Sequence, residues 1–502
     1  MSDANTLAGL LAGAPAGNTA IILPETDTKV TYGKLRDQVE QMAATLAGLG
    51  IAPGDRVATV VTNGLPAIVS FLAASYAGTA APLNPGYRQE EIDFYLEDTS
   101  AKIVLLPPEG MDEARAAAEE RGVPIYNLET SDDGEVTIAG AAPGDKSAAP
   151  QPDPEGVALV LHTSGSTGRP KRVPIKHRNL AASAKNIVAT YNLTDKDVAL
   201  CVMPLFHVHG LVASTVSTLS TGGTLVVPAK FNPMSFWRTV RDYGVSWYTA
   251  VPTIHSLLLA RAAKQKPEGC ENLRFIRSCS SSLPPEMMAQ MEATFGAPVL
   301  EAYGMTEASH QMASNPLPPA AHKGGAVGPA TGIEIGIMDN DGKLLAQGER
   351  GEVVIKGPNV VDGYENNPEA NEKSYTNGWF RTGDQGYLDP DGYLFLTGRL
   401  KEMINRGGEK IAPREIDEVL LAHPAVAEAV AFGIPHKTWG EEVAAAVVLS
   451  EPAEETDILK YCKEHLADFK CPKKLFIVEK IPRTATGKIQ RGAVAKAMVA
   501  AG

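Results

Sequence analysis

A short apolar run is followed directly by a segment rich in glycine and hydroxyl residues. The run is Val157–Leu161, and the segment reads TSGSTGRPK from Thr163 to Lys171. Two glycines let the backbone turn sharply, hydroxyls and backbone N–H groups donate hydrogen bonds, and Lys171 adds positive charge, so the segment can bind a polyphosphate. Only two residues separate the glycines and no Gly-Lys-Ser or Gly-Lys-Thr follows, which distinguishes the segment from a Walker A loop. A flexible surface loop is the alternative, and the basic residue shortly after a buried strand disfavours it.

Four further motifs follow this segment along the chain. They are YGMTE at Tyr303–Glu307, RTGD at Arg381–Asp384, GRLK at Gly398–Lys401 and PRTATGK at Pro482–Lys488. Together with the glycine-rich loop, and in this order, they resemble the adenylate-forming superfamily, which includes acyl-CoA synthetases, luciferases and adenylation domains. Many members have glycine after the loop lysine, whereas this chain has Arg172. That departure bears on the path of the loop and not on the chemistry.

The resemblance implies a two-step reaction on a carboxylic acid. A carboxylate is a poor electrophile, and its attack on the α-phosphate of ATP converts it to a mixed anhydride, the acyl-adenylate. Negative charge accumulates in the transition state, so cations and preorganised donors are expected to dominate catalysis. In acyl-CoA synthetases the acyl group then passes to coenzyme A, which implies ATP, Mg²⁺ and coenzyme A as reaction partners.

The same resemblance implies roles for the motif residues. Lys171 and the loop hydroxyls would hold the β- and γ-phosphates, Thr306 would contact the α-phosphate, and Glu307 would bind Mg²⁺. Asp384 would accept the ribose hydroxyls, and Arg399 would contact the ribose or a phosphate. Without their flanking motifs, Glu307 would read as a solvated carboxylate at a helix start and Asp384 as a turn residue. The expected ATP contacts are Thr163, Ser164, Gly165, Ser166, Thr167, Gly168, Lys171, Glu301, Ala302, Tyr303, Gly304, Met305, Asp384 and Arg399.

The C-terminal motif carries the lysine that the resemblance makes catalytic. Lys488 would reach both the substrate carboxylate and the α-phosphate, although most lysines in such loops are simply solvated. After adenylation the small domain would rotate about Lys401, and Gly407 and Gly408 would then line the tunnel for the pantetheine arm of coenzyme A. The residues expected to be catalytic are Lys488, Thr306, Glu307 and His207.

The expected acid pocket is rich in polar side chains. Its segments, near residues 207–210, 251–255, 277–282 and 301–310, contain His207, His209, His255, Arg277 and several serines. A fatty-acid pocket would need small and apolar residues instead. The composition therefore predicts an acid with a second polar group, such as a second carboxylate. For His209 and His255 a structural role is the favoured alternative, and for Arg277 an ion pair at the edge of the core is the alternative.

Five stretches most resemble the oxalate–CoA ligases: Leu205–Leu211, Trp247–His255, Phe275–Ser280, Asn315–Pro318 and Ile404–Ile411. In those ligases the residues that match Ser280 and His310 face the oxalate, so these two are expected to bind the acid together with Lys488, and His207 is a third candidate. Malonyl-CoA ligases carry an arginine shortly after the Val-Pro-Thr stretch, where this chain has Leu257.

Several alternatives remain open from the sequence. A ligase for malonate, acetate or an aromatic acid would use the same motifs. A nucleotide-binding regulator without catalysis is the alternative of another class, and the presence of Lys488, Glu307 and Asp384 disfavours it. A luciferase-like monooxygenase would need a dry, apolar pocket, and a carrier-protein adenylation module would be expected to precede a carrier domain.

Helical apolar spacing, as in Leu35–Leu49, alternates with strand-like runs such as Ile103–Leu106, which predicts an α/β fold with largely parallel sheets. Segment Arg414–His423 is predicted to be a helix of the C-terminal part. We expect a large N-terminal domain of mixed and parallel sheets with helices, spanning residues 1–398 and including a β-rich subdomain from about Gly332. A hinge at 399–401 and a mobile, small α+β C-terminal domain at 402–502 would follow. The segment Ala139–Pro154 reads as a surface linker because it is rich in Ala, Gly, Pro and Asp.

Composition limits the function further. The chain has 502 residues and a formal net charge of −13, which disfavours general binding to nucleic acid or to an anionic membrane surface. The N-terminal segment lacks a basic leader, and five cysteines without CxxC spacing indicate reduced thiols. We therefore expect a cytoplasmic protein that is a monomer or homodimer.

Overall fold

The computed structural model describes residues 4–163, 170–262, 267–483 and 489–501. The predicted site residues outside these ranges are Ser164, Gly165, Ser166, Thr167, Gly168 and Lys488. The described chain is a mixed α/β protein, with a large N-terminal part built on three sheets and a smaller C-terminal part built on a fourth, which confirms the predicted fold class. The domain boundaries at 398 and 402 stay predictions.

The first sheet has seven strands with a parallel centre and antiparallel pairs at both edges. Buried strands of this kind need apolar residues on both faces, and all four residues of Ile103–Leu106 are buried. In spatial order the strands are Val136–Ile138, Ile125–Thr130, Ile103–Leu106, Arg56–Thr59, Thr79–Pro82, Val157–Thr163 and Lys171–Lys176.

The second sheet has eight strands, and its six inner strands are parallel. Parallel strands end at one common edge, where α/β proteins usually bind their ligands. In spatial order the strands are His310–Ser314, Val299–Met305, Phe275–Ser278, Trp247–Ala250, Val198–Cys201, Thr224–Val226, Thr19–Leu23 and Thr28–Thr31.

Two smaller sheets complete the described part of the chain. One is antiparallel and consists of Glu334–Met338, Gly351–Lys356, Trp379–Leu388, Tyr375–Thr376 and Leu394–Arg399. The other belongs to the C-terminal part, has apolar clusters on both faces, and consists of Glu409–Ile411, Ile404–Arg406, Gly440–Leu449, Val426–His436 and Lys474–Ile477.

Helices cover the sheets. The helix Tyr32–Gly48 shows why: Thr31 accepts a hydrogen bond from the Lys34 N–H at its start, and its buried residues recur at helical spacing. The α-helices are Leu7–Ala12, Tyr32–Gly48, Leu65–Ala77, Gln89–Thr99, Asp112–Arg121, His177–Tyr191, Ser217–Leu219, Phe236–Asp242, Pro252–Ala262, Pro285–Phe295, Pro368–Ser374, Pro413–Leu421, Glu455–His465 and Arg491–Ala501. A π-helical segment spans His209–Val216.

Segment Ala139–Pro154 connects two strands of the first sheet, and its only regular element is the short turn Lys146–Ala148. All five cysteines are buried and form no disulfide. In the described ranges, no helix is both long and apolar enough to cross a membrane.

Candidate active site

The two ends of the glycine-rich loop lie side by side. The strands Val157–Thr163 and Lys171–Lys176 form an antiparallel pair in which Thr163 lies opposite Lys171. The Lys171 ammonium lies 4.4 Å from the centre of the Tyr364 ring, close enough for a cation–π contact. The two strands therefore bring Thr163 beside Lys171, and the lysine is held against an aromatic ring.

Arg172 anchors the base of this hairpin. Its Nε lies 3.1 Å from Oδ2 of Asp98, and its Nη1 lies 3.7 Å from Oε2 of Glu365. His162, opposite Arg172 in the pair, places Nε2 2.9 Å from the same Asp98 oxygen. Burial lowers the pKa of His162, although Asp98 opposes that shift. Because one carboxylate binds both strands, Arg172 has a structural role here.

The YGMTE motif forms a tight hairpin at the carboxyl edge of the second sheet. Strand Val299–Met305 ends, a 3₁₀ turn spans Thr306–Ala308, and the chain returns antiparallel as His310–Ser314. A Cβ atom at Gly304 would lie 2.0 Å from the His310 carbonyl oxygen, so only glycine permits this approach.

Glu307 is buried, and both its side chain and its backbone accept hydrogen bonds. The Tyr364 hydroxyl donates a 2.7 Å hydrogen bond to Oε1 of Glu307, and the Val361 N–H donates a 2.9 Å hydrogen bond to the backbone carbonyl oxygen of Glu307. The alternative of a solvated carboxylate at a helix start is therefore wrong, because only 5% of the residue is exposed. Tyr364 contacts both Lys171 and Glu307, and no motif in the sequence marks it.

The predicted ribose residues form one cluster. Asp384 lies opposite Arg399 in neighbouring strands, with Arg399 Nε 3.0 Å from Asp384 Oδ1. The Tyr303 hydroxyl donates a hydrogen bond to the other carboxylate oxygen. Burial raises the pKa of Asp384, and Arg399 opposes that shift. Asp384 lies within a strand, so the turn alternative is wrong.

Glu301 and Ala302, two of the predicted ATP contacts, lie in the strand Val299–Met305. Its side chain is fully buried, and Oε1 accepts a 2.9 Å hydrogen bond from the Leu283 N–H. Oε2 has no hydrogen-bond partner in the described chain. Burial raises the pKa of Glu301 to about 7, although Arg414 of the C-terminal part opposes the shift.

The predicted hinge and coenzyme A residues lie close together in sequence. Lys401 is in the short turn Leu400–Glu402, and its pKa is lowered by burial and then by Arg399. Gly407 and Gly408 connect two short strands with φ values of 61° and 99°. A Cβ atom at Gly407 would lie 2.7 Å from the Trp439 ring, whereas the space beside Gly408 is open.

The two predicted acid-binding residues are linked by His209. Its Nδ1 lies 3.0 Å from the Ser280 hydroxyl, and its ring stacks on His310 at 5.1 Å between centroids. Ser280 and His310 have φ values of 72° and 114°, which is unusual for residues with a side chain and is common at functional sites. The structure thus brings Ser280 and His310 into one polar cluster.

Arg277 lies fully buried beneath this cluster. Its guanidinium donates hydrogen bonds to four side chains: Tyr191 at 2.8 Å, Thr249 at 3.0 Å, His310 at 3.1 Å and Gln311 at 3.0 Å. None of these acceptors is a carboxylate, so the alternative of an ion pair at the edge of the core is wrong.

The remaining histidines of the acid segments differ in environment. His207 lines a cavity of about 40 Å³ together with Thr306, and its Nδ1 accepts a 3.1 Å hydrogen bond from the His209 N–H. His255 is fully buried beside the Tyr248 ring, and burial lowers its pKa to about 3. His255 is therefore a core residue, which agrees with the structural role that the sequence favoured for it.

Comparison with known proteins identifies the family of the chain. Residues 11–365 match the model of the AMP-binding enzyme family, and residues 415–488 match the model of the AMP-binding enzyme C-terminal domain. The chain belongs to the AMP-binding enzyme family. This AMP-binding enzyme is 46% identical to oxalate–CoA ligase of Arabidopsis thaliana, over 98% of this chain and 99% of the relative.

Two further relatives extend the comparison. The AMP-binding enzyme is 43% identical to oxalate–CoA ligase of Saccharomyces cerevisiae, over 95% of this chain and 94% of that one. Among solved structures, it is similar to ATP-bound MatB from Rhodopseudomonas palustris, with a TM-score of 0.90 and 32% identity over 99% of both chains.

Proposed function

We propose that this AMP-binding enzyme is an AMP-forming acid–CoA ligase whose acid is oxalate. It would convert oxalate, ATP and coenzyme A to oxalyl-CoA, AMP and diphosphate through an oxalyl-adenylate. The observation that carries the proposal is the polar cluster around Ser280 and His310, at the edge of the sheet that also presents Thr306. Full-length similarity to two oxalate–CoA ligases supports the choice of acid.

The nucleotide side of the site would hold ATP through its phosphates and its ribose. Lys171 would contact the phosphates, and Asp384 would accept hydrogen bonds from the ribose hydroxyls while Arg399 orients its carboxylate. Tyr303 and Arg399 fix both carboxylate oxygens, so little reorganisation is needed when the nucleotide binds.

The donor set around Glu307 fits Mg²⁺. Mg²⁺ prefers oxygen ligands and is usually bound through one or two carboxylates together with substrate phosphates. Tyr364 donates a hydrogen bond to one oxygen of the Glu307 carboxylate and so orients the other oxygen. The same tyrosine ring contacts Lys171, which would hold the phosphates. When bound, Mg²⁺ would neutralise charge that develops on the phosphates.

The acid side favours a small dianion. Ser280 and His310 supply polar groups that both contact His209, and a fully buried guanidinium donates a hydrogen bond to His310. Positive charge held in a dry site attracts negative charge far more strongly than it does in water. A monocarboxylic acid with an apolar tail would leave these donors unpaired, which is costly.

The second half-reaction rests on the C-terminal part. Lys488 would contact the acid carboxylate and the α-phosphate during adenylation, and rotation about Lys401 would then remove it. Gly407 and Gly408 would approach the site in that second state, and the open space beside Gly408 is compatible with a thin pantetheine arm.

The proposal is tested by measuring AMP and diphosphate formation with ATP and Mg²⁺ against oxalate, malonate, acetate and benzoate, with and without coenzyme A. We expect strong turnover with oxalate only when coenzyme A is present. Preference for malonate would retain the ligase and refute oxalate as the acid, whereas no turnover with any acid would favour a nucleotide-binding regulator.

A further inference from the structure

Arg277 donates hydrogen bonds to two groups of side chains in the acid pocket, which we call the first and the second arm. Because its guanidinium is always charged, it fixes the direction of those hydrogen bonds. An arginine guanidinium can only donate hydrogen bonds, so every partner must accept. Thr249 lies opposite Arg277 in the neighbouring parallel strand, which brings its hydroxyl to Nη1 at 3.0 Å. The same guanidinium reaches His310 through Nη2 at 3.1 Å.

The first arm runs from Arg277 to Ser280. Because the Thr249 hydroxyl accepts from Arg277, its own hydrogen needs another acceptor. Within the described part of the chain, the other hydrogen-bond partner of that hydroxyl is Nε2 of His209, at 2.6 Å. Thr249 therefore donates to His209 Nε2, which leaves the ring hydrogen on Nδ1.

The same logic continues to the end of this arm. His209 Nδ1 lies 3.0 Å from the Ser280 hydroxyl and, carrying the ring hydrogen, must donate to it. The Ser280 oxygen is thus an acceptor towards His209, so its hydrogen is directed to a different partner. Three successive hydrogen bonds in one direction also polarise one another.

The second arm is shorter. His310 Nε2 must accept the hydrogen bond from Arg277, so the imidazole is neutral and carries its hydrogen on Nδ1. A doubly protonated His310 would place an N–H against the guanidinium N–H, and like charge would oppose it. Arg277 thereby makes His310 a donor through Nδ1.

We propose that Arg277 is a positioning residue that directs both arms, so that Ser280 and His310 act as hydrogen-bond donors to the second carboxylate of the acid. This inference rests on the proposed function. A carboxylate only accepts hydrogen bonds, so it needs donors on every side, and a hydroxyl or imidazole directed the other way would repel it. The buried positive charge behind the donors adds attraction for the same group.

The sharpest test separates one arm from the other. Thr249→Val removes the hydroxyl that connects Arg277 to His209 and nearly keeps the side-chain shape, whereas Thr249→Ser restores the hydroxyl. We expect Thr249→Val to raise the KM for oxalate about tenfold with the KM for ATP unchanged, because His209 loses the partner that fixes its ring hydrogen on Nδ1, and Ser280 is then no longer oriented as a donor to the acid. Thr249→Ser should return the KM for oxalate to within about twofold of wild type.

Arg277→Lys tests both arms, because a single ammonium cannot donate to Thr249 and His310 in the geometry of the planar guanidinium. We expect its KM for oxalate to rise more than that of Thr249→Val. The matched control is Arg274→Gln, since Arg274 immediately precedes the same strand but pairs with Asp197 at 2.8 Å. The control should leave the KM for oxalate unchanged, and thermal unfolding of each variant shows whether it is folded.

The outcomes distinguish this inference from the proposed function. Equal rises in the KM for oxalate and for ATP, or no rescue by Thr249→Ser, would overturn the positioning role even if wild-type enzyme uses oxalate. If the wild type uses another acid, the proposed function fails, and the positioning role is judged on the KM for that acid. An unchanged KM for that acid in Thr249→Val would then refute it.

Discussion

Replacing Glu301 by Gln should make the protein more stable at neutral and alkaline pH. The carboxyl group is fully buried, one of its oxygens has no hydrogen-bond partner in the described chain, and burial raises its pKa to about 7. A buried charge without a close counter-ion destabilises the folded state. Gln has the same shape and remains uncharged at every pH, so it mimics the protonated carboxyl group.

The size of the effect follows from the two pKa values. Unfolded Glu301 would titrate near 4.5 and the folded residue near 7, a difference of about 2.5 pKa units. Each unit corresponds to 1.36 kcal/mol, so the complete effect is about 3 kcal/mol. Between pH 4.5 and 7 the folded state holds a proton that the unfolded chain has released, so wild-type stability falls as pH rises through this window.

The assay is urea unfolding of wild type and Glu301→Gln at intervals from pH 5 to pH 8. The free-energy difference between them should move in favour of the variant by about 2 to 3 kcal/mol over that range. Glu286→Gln removes the same charge from an exposed position of the helix Pro285–Phe295 and controls for net charge. A difference between wild type and Glu301→Gln that does not change with pH would refute the reasoning.

Three other substitutions have expected outcomes. Asp384→Ala should raise the KM for ATP by about tenfold or more and leave the KM for the acid unchanged in steady-state kinetics; equal affinity for ATP would remove Asp384 from the ribose site. Tyr364→Phe deletes the 2.7 Å hydrogen bond to Glu307 but keeps the ring, so the Mg²⁺ concentration for half-maximal rate should rise about fivefold. An unaltered Mg²⁺ titration would contradict this. Asp417→Ala removes one of the two carboxylates that pair with Arg491, leaves Glu402 as the other, and should cost about 2 to 3 kcal/mol in urea unfolding, whereas a loss below about 1 kcal/mol would show that the Asp417–Arg491 pair is not needed.

One further prediction concerns the C-terminal lysine. Lys488→Ala should slow adenylation by at least about a hundredfold, because a cation at the developing charge is lost. Transfer from chemically prepared oxalyl-adenylate to coenzyme A should continue, and measuring both half-reactions separates the two roles. Equal loss in both would argue that Lys488 does not act in adenylation alone.

Local pattern predicted much of the fold. The apolar spacing in Leu35–Leu49 corresponds to the helix Tyr32–Gly48, and the apolar run Ile103–Leu106 is a buried strand with the same bounds. Segment Arg414–His423 corresponds to the helix Pro413–Leu421. These elements were predictable because helices and strands impose a short repeat of apolar residues, which the chain shows within one element.

The environment of the polar residues was less predictable. From the sequence, Glu307 could be a solvated carboxylate and Arg277 an ion-pair partner at the edge of the core, and both alternatives are wrong in the structure. Tyr364 was not predicted at all, since it lies 57 residues from Glu307 and carries no motif of its own. Its role depends on a loop that folds back over the hairpin.

The sequence by itself determined which chemistry the chain can perform. The glycine-rich loop and the motifs that contain Glu307, Asp384 and Arg399 are recognised from residue type and short-range spacing, which the chain alone displays. Only the tertiary structure decided which charges are buried and which hydrogen bonds face one another. Arg277, Thr249 and His209 come from separate elements, and packing of the parallel strands aligns them into one arm. Burial and hydrogen-bond direction depend on such distant partners, and no local pattern encodes them.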